Sequence, residues 1–532
     1  MPLNKKVVIT VFSLFLFSTC FSGCILEDLF FGTSFNLESW SATDTEGFPA
    51  LSLFFSSSDK IIIKTYNTDS VLTDSEFFYS DTNTTMNLGD FHETLSPGNY
   101  MLKVYDKEGN EIYQKQFSFS GPQLSILSCD QKWWKNDESY SLIGLGLQVF
   151  NSGDVSAYPY SINITAGSET IEGLILPDII DPGSTSTVYC YLYHEGVFQT
   201  NDFNVTLRDK EDNVLAYGTF DFDIESNIPT RYYTDGLDNR LSIPYPDFLY
   251  NYYRSLDRIY VEDYSLFVFD EYDDSYIDLL IERIISTLTF DKFEFNLKTD
   301  AEKINYMASF VQNLDYKLDS ETNDSFEYPR YPVETIFNGA GGGDCEDLAI
   351  LTANILKNLG YQTALFRLTE HMSVGVELDE DALSDEYYAD SYYYLETTTP
   401  GSECGFVPKD WRSPSELTVY SLEDRAFIYH NWESDLITIY KNTEQGDIVK
   451  AVCYVTNLGE QTAEDVYVEA VFVTDDGLKL NNELSQIYTI QPGEKKKIVL
   501  SIVIPEFTSW FETRVFYNGE IVDTEKSKNY FP

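Results

Sequence analysis

One cysteine in this chain sits where its sulfur could become a nucleophile. Cys345 follows a glycine-rich run, Gly339 and Gly341 to Gly343, and opens a stretch with helical periodicity. In the first turn of a helix, unpaired N–H groups and the helix dipole favour a thiolate. His371 and Glu396 come next, each on its own strand-like run. A thiol, an imidazole and a carboxylate are the parts of an activated nucleophile. The imidazole takes the thiol proton and returns it to the leaving group, while the carboxylate holds the ring in one tautomer. The natural target is an amide carbonyl. The Cys345 N–H is one donor for the oxyanion, and Gln312, on the preceding helical run, is the candidate for the second.

Three elements must hold these residues. The helix has readable ends: Asp344 is a good N-cap, Asp347 stands three residues on as in a capping box, and Gly360 closes it. Leu348, Leu351, Ile355 and Leu359 form its apolar stripe. The glycines let backbone approach the thiol. They are not a phosphate loop, because no Gly-Lys-Ser/Thr follows and Asp344 stands where a dinucleotide fingerprint needs its third glycine. Gln362 to Leu368 reads as a strand. His371 to Leu378 alternates, with Met372, Val374 and Val376 on one face and His371, Ser373 and Gly375 on the other. Tyr392, Tyr394 and Glu396 share a face of the third run. An antiparallel hairpin centred on the acidic loop Asp379 to Asp390 sets His371 opposite Glu396. That loop lacks EF-hand spacing and reads as solvated.

Around this centre the chain divides by texture. Residues 35–121 read as a small β-sandwich, with a hairpin of Tyr100 to Tyr105 and Ile112 to Phe119. Residues 122–226 and 435–532 look like two copies of another β module: Asn151-x-Gly153 matches Asn457-x-Gly459, Ala157 matches Ala463, and Pro182-Gly183 matches Pro492-Gly493. In that register Cys190 and Cys453 are core fillers, with a Cys129–Cys190 bridge left open. Residues 227–434 differ, with helical periodicity at Tyr276 to Leu288 and Asp300 to Leu314. The fold class expected is multidomain, an α+β core flanked by all-β sandwich domains. Trp133 and Trp134 are strand packing or, as the minor reading, a stacking surface for a ligand.

The 87 acidic against 35 basic residues, net −52, exclude nucleic acid as a partner, since phosphates would be repelled. Lys5 and Lys6 precede an apolar run from Val7 to Phe21, shaped like a signal peptide. Ser22-Gly23-Cys24 follows, and this resembles a lipoprotein signal. That resemblance implies cleavage after residue 23, a lipid on Cys24 and a tether over 24–34; the alternative is an uncleaved anchor. Both put the rest of the chain outside the membrane, at the cell surface. Four Asn-x-Ser/Thr sites, at Asn83, Asn163, Asn204 and Asn323, agree with export. Four histidines and no Cys-x-x-Cys pair give no structural zinc site. No metal and no cofactor is expected.

The strings YPRYPVETIFNGAGGGDCEDLAILTANILKNLGYQTALF, HMSVGVEL and YYYLETTTPG together resemble the transglutaminase-like superfamily, and most of all its microbial cysteine peptidases. The resemblance spans roughly Asp300 to Pro408. It implies a papain-like fold, with Cys345, His371 and Glu396 at the family's Cys, His and acid positions; Glu stands where the family often has Asp. The repeated β modules resemble the Ig-like sandwich called CARDB. The function expected is a membrane-tethered cysteine peptidase or transamidase acting on a protein or peptide. The alternative is a cell-surface adhesion or scaffold protein that binds peptides, or protein partners, without turnover. Capture of a small solute is a third, weaker reading.

Overall fold

The computed structural model describes residues 33–531 apart from 80–81, 137–138, 235–239, 257, 259–262, 291–298, 322–327, 379–382, 384–387, 423–424 and 433–436. The expected signal segment with Cys24, Asn323 and most of the acidic loop, 379–382 and 384–387, lie outside the described residues. No helix among the described residues is long and apolar enough to cross a membrane. The described chain is mostly β and forms several sheets, as the composition of aromatic and β-branched residues favours.

Three mainly antiparallel sandwiches surround a helical centre. In the first, the strands Phe35–Thr45, Phe48–Ser57 and Thr82–Asn87 form one sheet, and Leu72–Phe78, Ile61–Tyr66, Gly98–Asp106 and Glu111–Phe119 form the other. The expected hairpin is the last pair of that sheet. Alternating residues such as Leu51, Leu53, Ile61, Ile63, Leu102 and Val104 meet between the sheets.

The second and last sandwiches share one device. Asn151 Oδ1 accepts from the N–H groups of Gln123 and Gly153, and its Nδ2 donates to Val155 O and Ile180 O. Asn457 Oδ1 accepts from Phe427 and Gly459, and its Nδ2 donates to Gln461 O and Ile490 O. Each buried amide thus saturates four bonds and pins a turn to its sheet. Gly153 and Gly459 are required there, since a Cβ would lie 2.4 Å from Gly121 O and 2.0 Å from Arg425 O.

Sheet pairing moves two expected boundaries. Ser226–Ile228 runs parallel to Leu124–Asn136 and extends the second sandwich. Ile428–Asn431 pairs with Gly446–Asn457 and belongs to the last one. Cys129, Cys190, Cys345, Cys404 and Cys453 are all free thiols. Cys129 and Cys190 flank the strand Ser139–Asn151 on opposite sides, which rules out the bridge left open above. Trp133 and Trp134 are buried, their indole N–H groups donating to Gln131 Oε1 and Thr230 Oγ1, so neither offers a stacking surface.

The first and last sandwiches dock on each other. Lys450 and Lys497 of the last meet Glu76 and Asp74 of the first, all four nearly buried. Phe48 stacks on Tyr454, and Tyr79 packs on Tyr440.

The centre holds five helices, α1 (Asp247–Ser255), α2 (Asp274–Phe290), α3 (Asp300–Gln312), α4 (Pro332–Phe337) and α5 (Cys345–Asn358); α5 packs on a four-stranded antiparallel sheet, and α2, α3 and α4 pack around α5. The sheet order is Tyr392–Leu395, His371–Glu377, Thr363–Leu368, Leu417–Ser421. Leu348, Leu351 and Ile355 of α5 meet Met372, Val374 and Val376 of the second strand in one continuous core, which also takes in Trp134 and Tyr191 of the second sandwich. Thr299 caps α3 through a capping box with Glu302.

Candidate active site

Cys345 is the first residue of α5, after Asp344 at the N-cap. The Asp344 N–H donates to Asp347 Oδ2 at 3.3 Å, so the side chain three residues on caps the helix entry as its type suggests. The glycines before it are held from the side. Asp315–Tyr316 pairs in parallel with Gly342–Gly343. Gly342 has φ +127°, and a Cβ there would lie 1.9 Å from Asp315 O. Only glycine lets the two backbones come this close. Lys317 Nζ ties the same turn by donating to Asn338 O and Gly341 O.

His371 opens its strand. Its Nε2 lies 3.1 Å from Glu396 Oε2, with the imidazole one-tenth exposed and the carboxylate almost fully buried. The expected register is corrected here. Val374 pairs with Leu395 and Gly375 with Tyr394, so one further step sets Glu396 against Ser373, not His371. The two partners are diagonal neighbours on one face, within reach because both side chains are long. Glu396 is well supplied with donors: Tyr394 Oη on Oε2, and Thr397 N, Thr398 N and Thr398 Oγ1 on Oε1. Burial alone would raise its pKa, but the hydrogen bonds from His371 and Thr398 bring it down to about 2. The carboxylate is therefore ionised at neutral pH.

The thiol departs from expectation. Burial, then the Glu346 and Asp344 carboxyls, push Cys345 up from the ordinary thiol range, so the helix start does not by itself make a thiolate. Its hydrogen bond goes to Glu346 Oε2, 3.2 Å away. The amide of Met372, next to His371, also lies against the sulfur. So does the Tyr316 hydroxyl.

Gln312 is not placed as an oxyanion donor. Its Nε2 donates to Glu396 O at 2.8 Å and to Ser402 O at 2.9 Å, and its Oε1 accepts from Gly401 N. Both amide protons are used, and the side chain anchors the backbone that carries Glu396. Tyr316, which sequence reasoning passed over, stands beside the thiol instead; it lies just after the helix that carries Gln312, on the short strand paired with the glycine turn.

Beside Cys345 lies a cluster that no spacing rule announced. Asp319, Asp344 and Glu346, each nearly buried, bring carboxylate oxygens within 4.8 Å of one another. Arg330 Nη1 donates to Asp319 Oδ1 at 2.8 Å and also to Asp347. That is one guanidinium against four carboxyls. Burial and the neighbouring Glu346 raise Asp344 to about 8, and its Oδ1 is buried with no hydrogen-bond partner among the described residues. Three convergent hard oxygens, one of them orphaned, fit a divalent cation such as Ca²⁺. The expectation of no metal rested on zinc and EF-hand spacing; the fold assembles this trio from the turn at Asp319 and the start of α5. His92, His194 and His430 lie away from the site, and His430 is buried between Asp523 and Thr513.

No sequence-family profile and no curated protein matches the chain. Among solved structures, red sea bream transglutaminase is similar at 10% identity and TM-score 0.21, over 73% of this chain and 80% of that one. The Amycolatopsis orientalis exo-chitosanase CsxA is similar at 9% identity and TM-score 0.15, over 90% and 76%. A glycosyl hydrolase family 2 member from Bacteroides cellulosilyticus is similar at 9% and 0.16, over 91% of both chains. Scores this low carry no weight for fold or function.

Proposed function

We propose that the chain is a transglutaminase-like cysteine enzyme acting on amide bonds of proteins or peptides, as a peptidase or a transamidase. The observation that carries this reading is the His371–Glu396 pair, an imidazole bonded at 3.1 Å to a buried, ionised carboxylate, with Cys345 against the next residue's amide. In this reading His371 removes the thiol proton, Cys345 attacks the carbonyl carbon, and the proton passes to the leaving amine as the acyl-enzyme forms. Glu396 holds the imidazole tautomer and balances its charge. Cys345 N–H and Tyr316 Oη serve the oxyanion. A divalent cation on Asp319, Asp344 and Glu346 would neutralise the carboxyls that hold the thiol protonated.

The supporting architecture is read as a papain-like core between CARDB-like sandwiches, exported and tethered through Cys24. The deciding measurement is Cys345 alkylation against pH in the native protein and in His371→Ala, followed by turnover of a peptide library with Cys345→Ala as control. A thiol that responds to His371, and turnover lost with Cys345, support the enzyme. Peptide binding by the native protein with no turnover, unchanged by Cys345→Ala, supports the scaffold reading instead. The resting thiol's bond to Glu346 is what keeps that second reading open.

A further inference from the structure

Trp411 lies flat on the His371 imidazole, with ring centroids 4.8 Å apart and planes inclined by 10°. It comes from a separate turn, Lys409–Trp411, far along the chain from His371. Its backbone is fixed on both sides: Trp411 N donates to Pro408 O at 3.0 Å, and Trp411 O accepts from Tyr388 Oη at 2.5 Å. Tyr388 packs edge-on against Tyr394, with centroids 5.0 Å apart, and Tyr394 Oη donates to Glu396 Oε2 at 2.8 Å. One tyrosine therefore braces both the residue stacked on the imidazole and the residue bonded to its carboxylate. These rings join Phe366 and Tyr392 in a small core on the face of the sheet opposite the helices.

We infer that Trp411 is a positioning residue for His371: its indole holds the imidazole plane toward Glu396 and favours the charged ring that forms when the thiol proton arrives. The inference deepens the proposed thiol chemistry and rests on it. Two physical effects act together. A stacked indole removes the rotational freedom that would otherwise be lost on reaching the reactive geometry. Its negative π face also attracts the imidazolium more than the neutral ring. The charged group bonded to the imidazole is Glu396. Lys409, Asp410 and Arg412 flank Trp411. Trp411 is the aromatic surface laid parallel on the ring.

The test is Cys345 alkylation by iodoacetamide across pH in the full soluble chain, comparing the native protein, His371→Ala, Trp411→Ala, Trp411→Phe and Tyr388→Phe. Thermal unfolding is recorded for each. Trp411→Ala is expected to move the midpoint of the alkylation profile upward by about half a unit to one unit, slowing the reaction roughly three- to tenfold near neutrality. Trp411→Phe keeps a π face and restores most of the native profile. Tyr388→Phe, which loses only the bond to Trp411 O, falls between. A Trp411→Ala profile superimposable on the native one, in a protein where His371→Ala still shifts it, overturns the role of Trp411 and leaves the thiol chemistry standing. Indifference of native Cys345 to His371→Ala overturns the proposed function and this inference with it. A fall in melting temperature with no change of profile marks Trp411 as packing alone and also overturns the inference.

Discussion

The Cys345 thiol donates to Glu346 Oε2 at 3.2 Å, a bond between neighbours in the chain that turns the sulfur toward a carboxylate. A negative charge beside a thiol disfavours its ionisation, and here it acts together with burial. The thiol is therefore at rest in this arrangement, and removing the charge should release it. Glu346→Gln is expected to speed alkylation of Cys345 at pH 7 by about tenfold, the size of a single close charge. The rate, measured with a small neutral alkylating agent, should fall again in Glu346→Gln combined with His371→Ala.

Glu396 gives a pH-dependent stability. Its folded pKa of about 2 lies below the usual 4.5. A lowered carboxylate stabilises the fold above the unfolded value and loses that contribution as pH falls through the folded one. The expected contribution is roughly 3 kcal/mol at neutral pH. Urea unfolding of Glu396→Gln should show a deficit of that order at pH 7, shrinking between pH 4.5 and about 2 until the two proteins converge.

The trio Asp319, Asp344 and Glu346 predicts a response to hard cations. Calcium chloride should raise the melting temperature and EDTA should reverse it. Binding to the folded state alone contributes about 2.7 kcal/mol at a hundred times the dissociation constant. Asp319→Asn should abolish the shift. No cation-dependent change in the native protein would remove the site from consideration.

The contact between the first and last sandwiches should be strong and insensitive to salt. Lys450 meets Glu76 with both side chains nearly buried, and Lys497 joins them. Burial tends to raise the Glu76 pKa, yet the two lysines hold it at about 2. Lys450→Ala leaves buried charge unpaired and should cost about 3–5 kcal/mol in unfolding experiments. The pair Lys450→Met with Glu76→Gln should recover much of the loss. Screening by 1 M salt should change little, because water is excluded from the pair.

Much of the local structure was legible. The periodicity of Leu348, Leu351 and Ile355, the N-cap type at Asp344 and the closing Gly360 set out α5 nearly to its ends. The repeated Asn-x-Gly signal marked two sandwiches whose asparagines make equivalent bonds 306 positions apart. These are local properties: backbone preference, capping and alternation act within a few residues, and one chain suffices to read them.

What the sequence determined alone was therefore the set of elements, the class of residues at their ends and an acidic exterior. Tertiary structure decided which of those residues meet. It offset Glu396 from His371 by two residues, since register depends on how strands pair. It committed both amide protons of Gln312 to carbonyl oxygens, brought Tyr316 to the sulfur and laid Trp411 on the imidazole. It also set the state of the thiol. A helix start favours a thiolate, but burial together with the Glu346 and Asp344 carboxyls outweighs it. Electrostatic free energy depends on distance and desolvation, and neither exists until the chain has closed on itself.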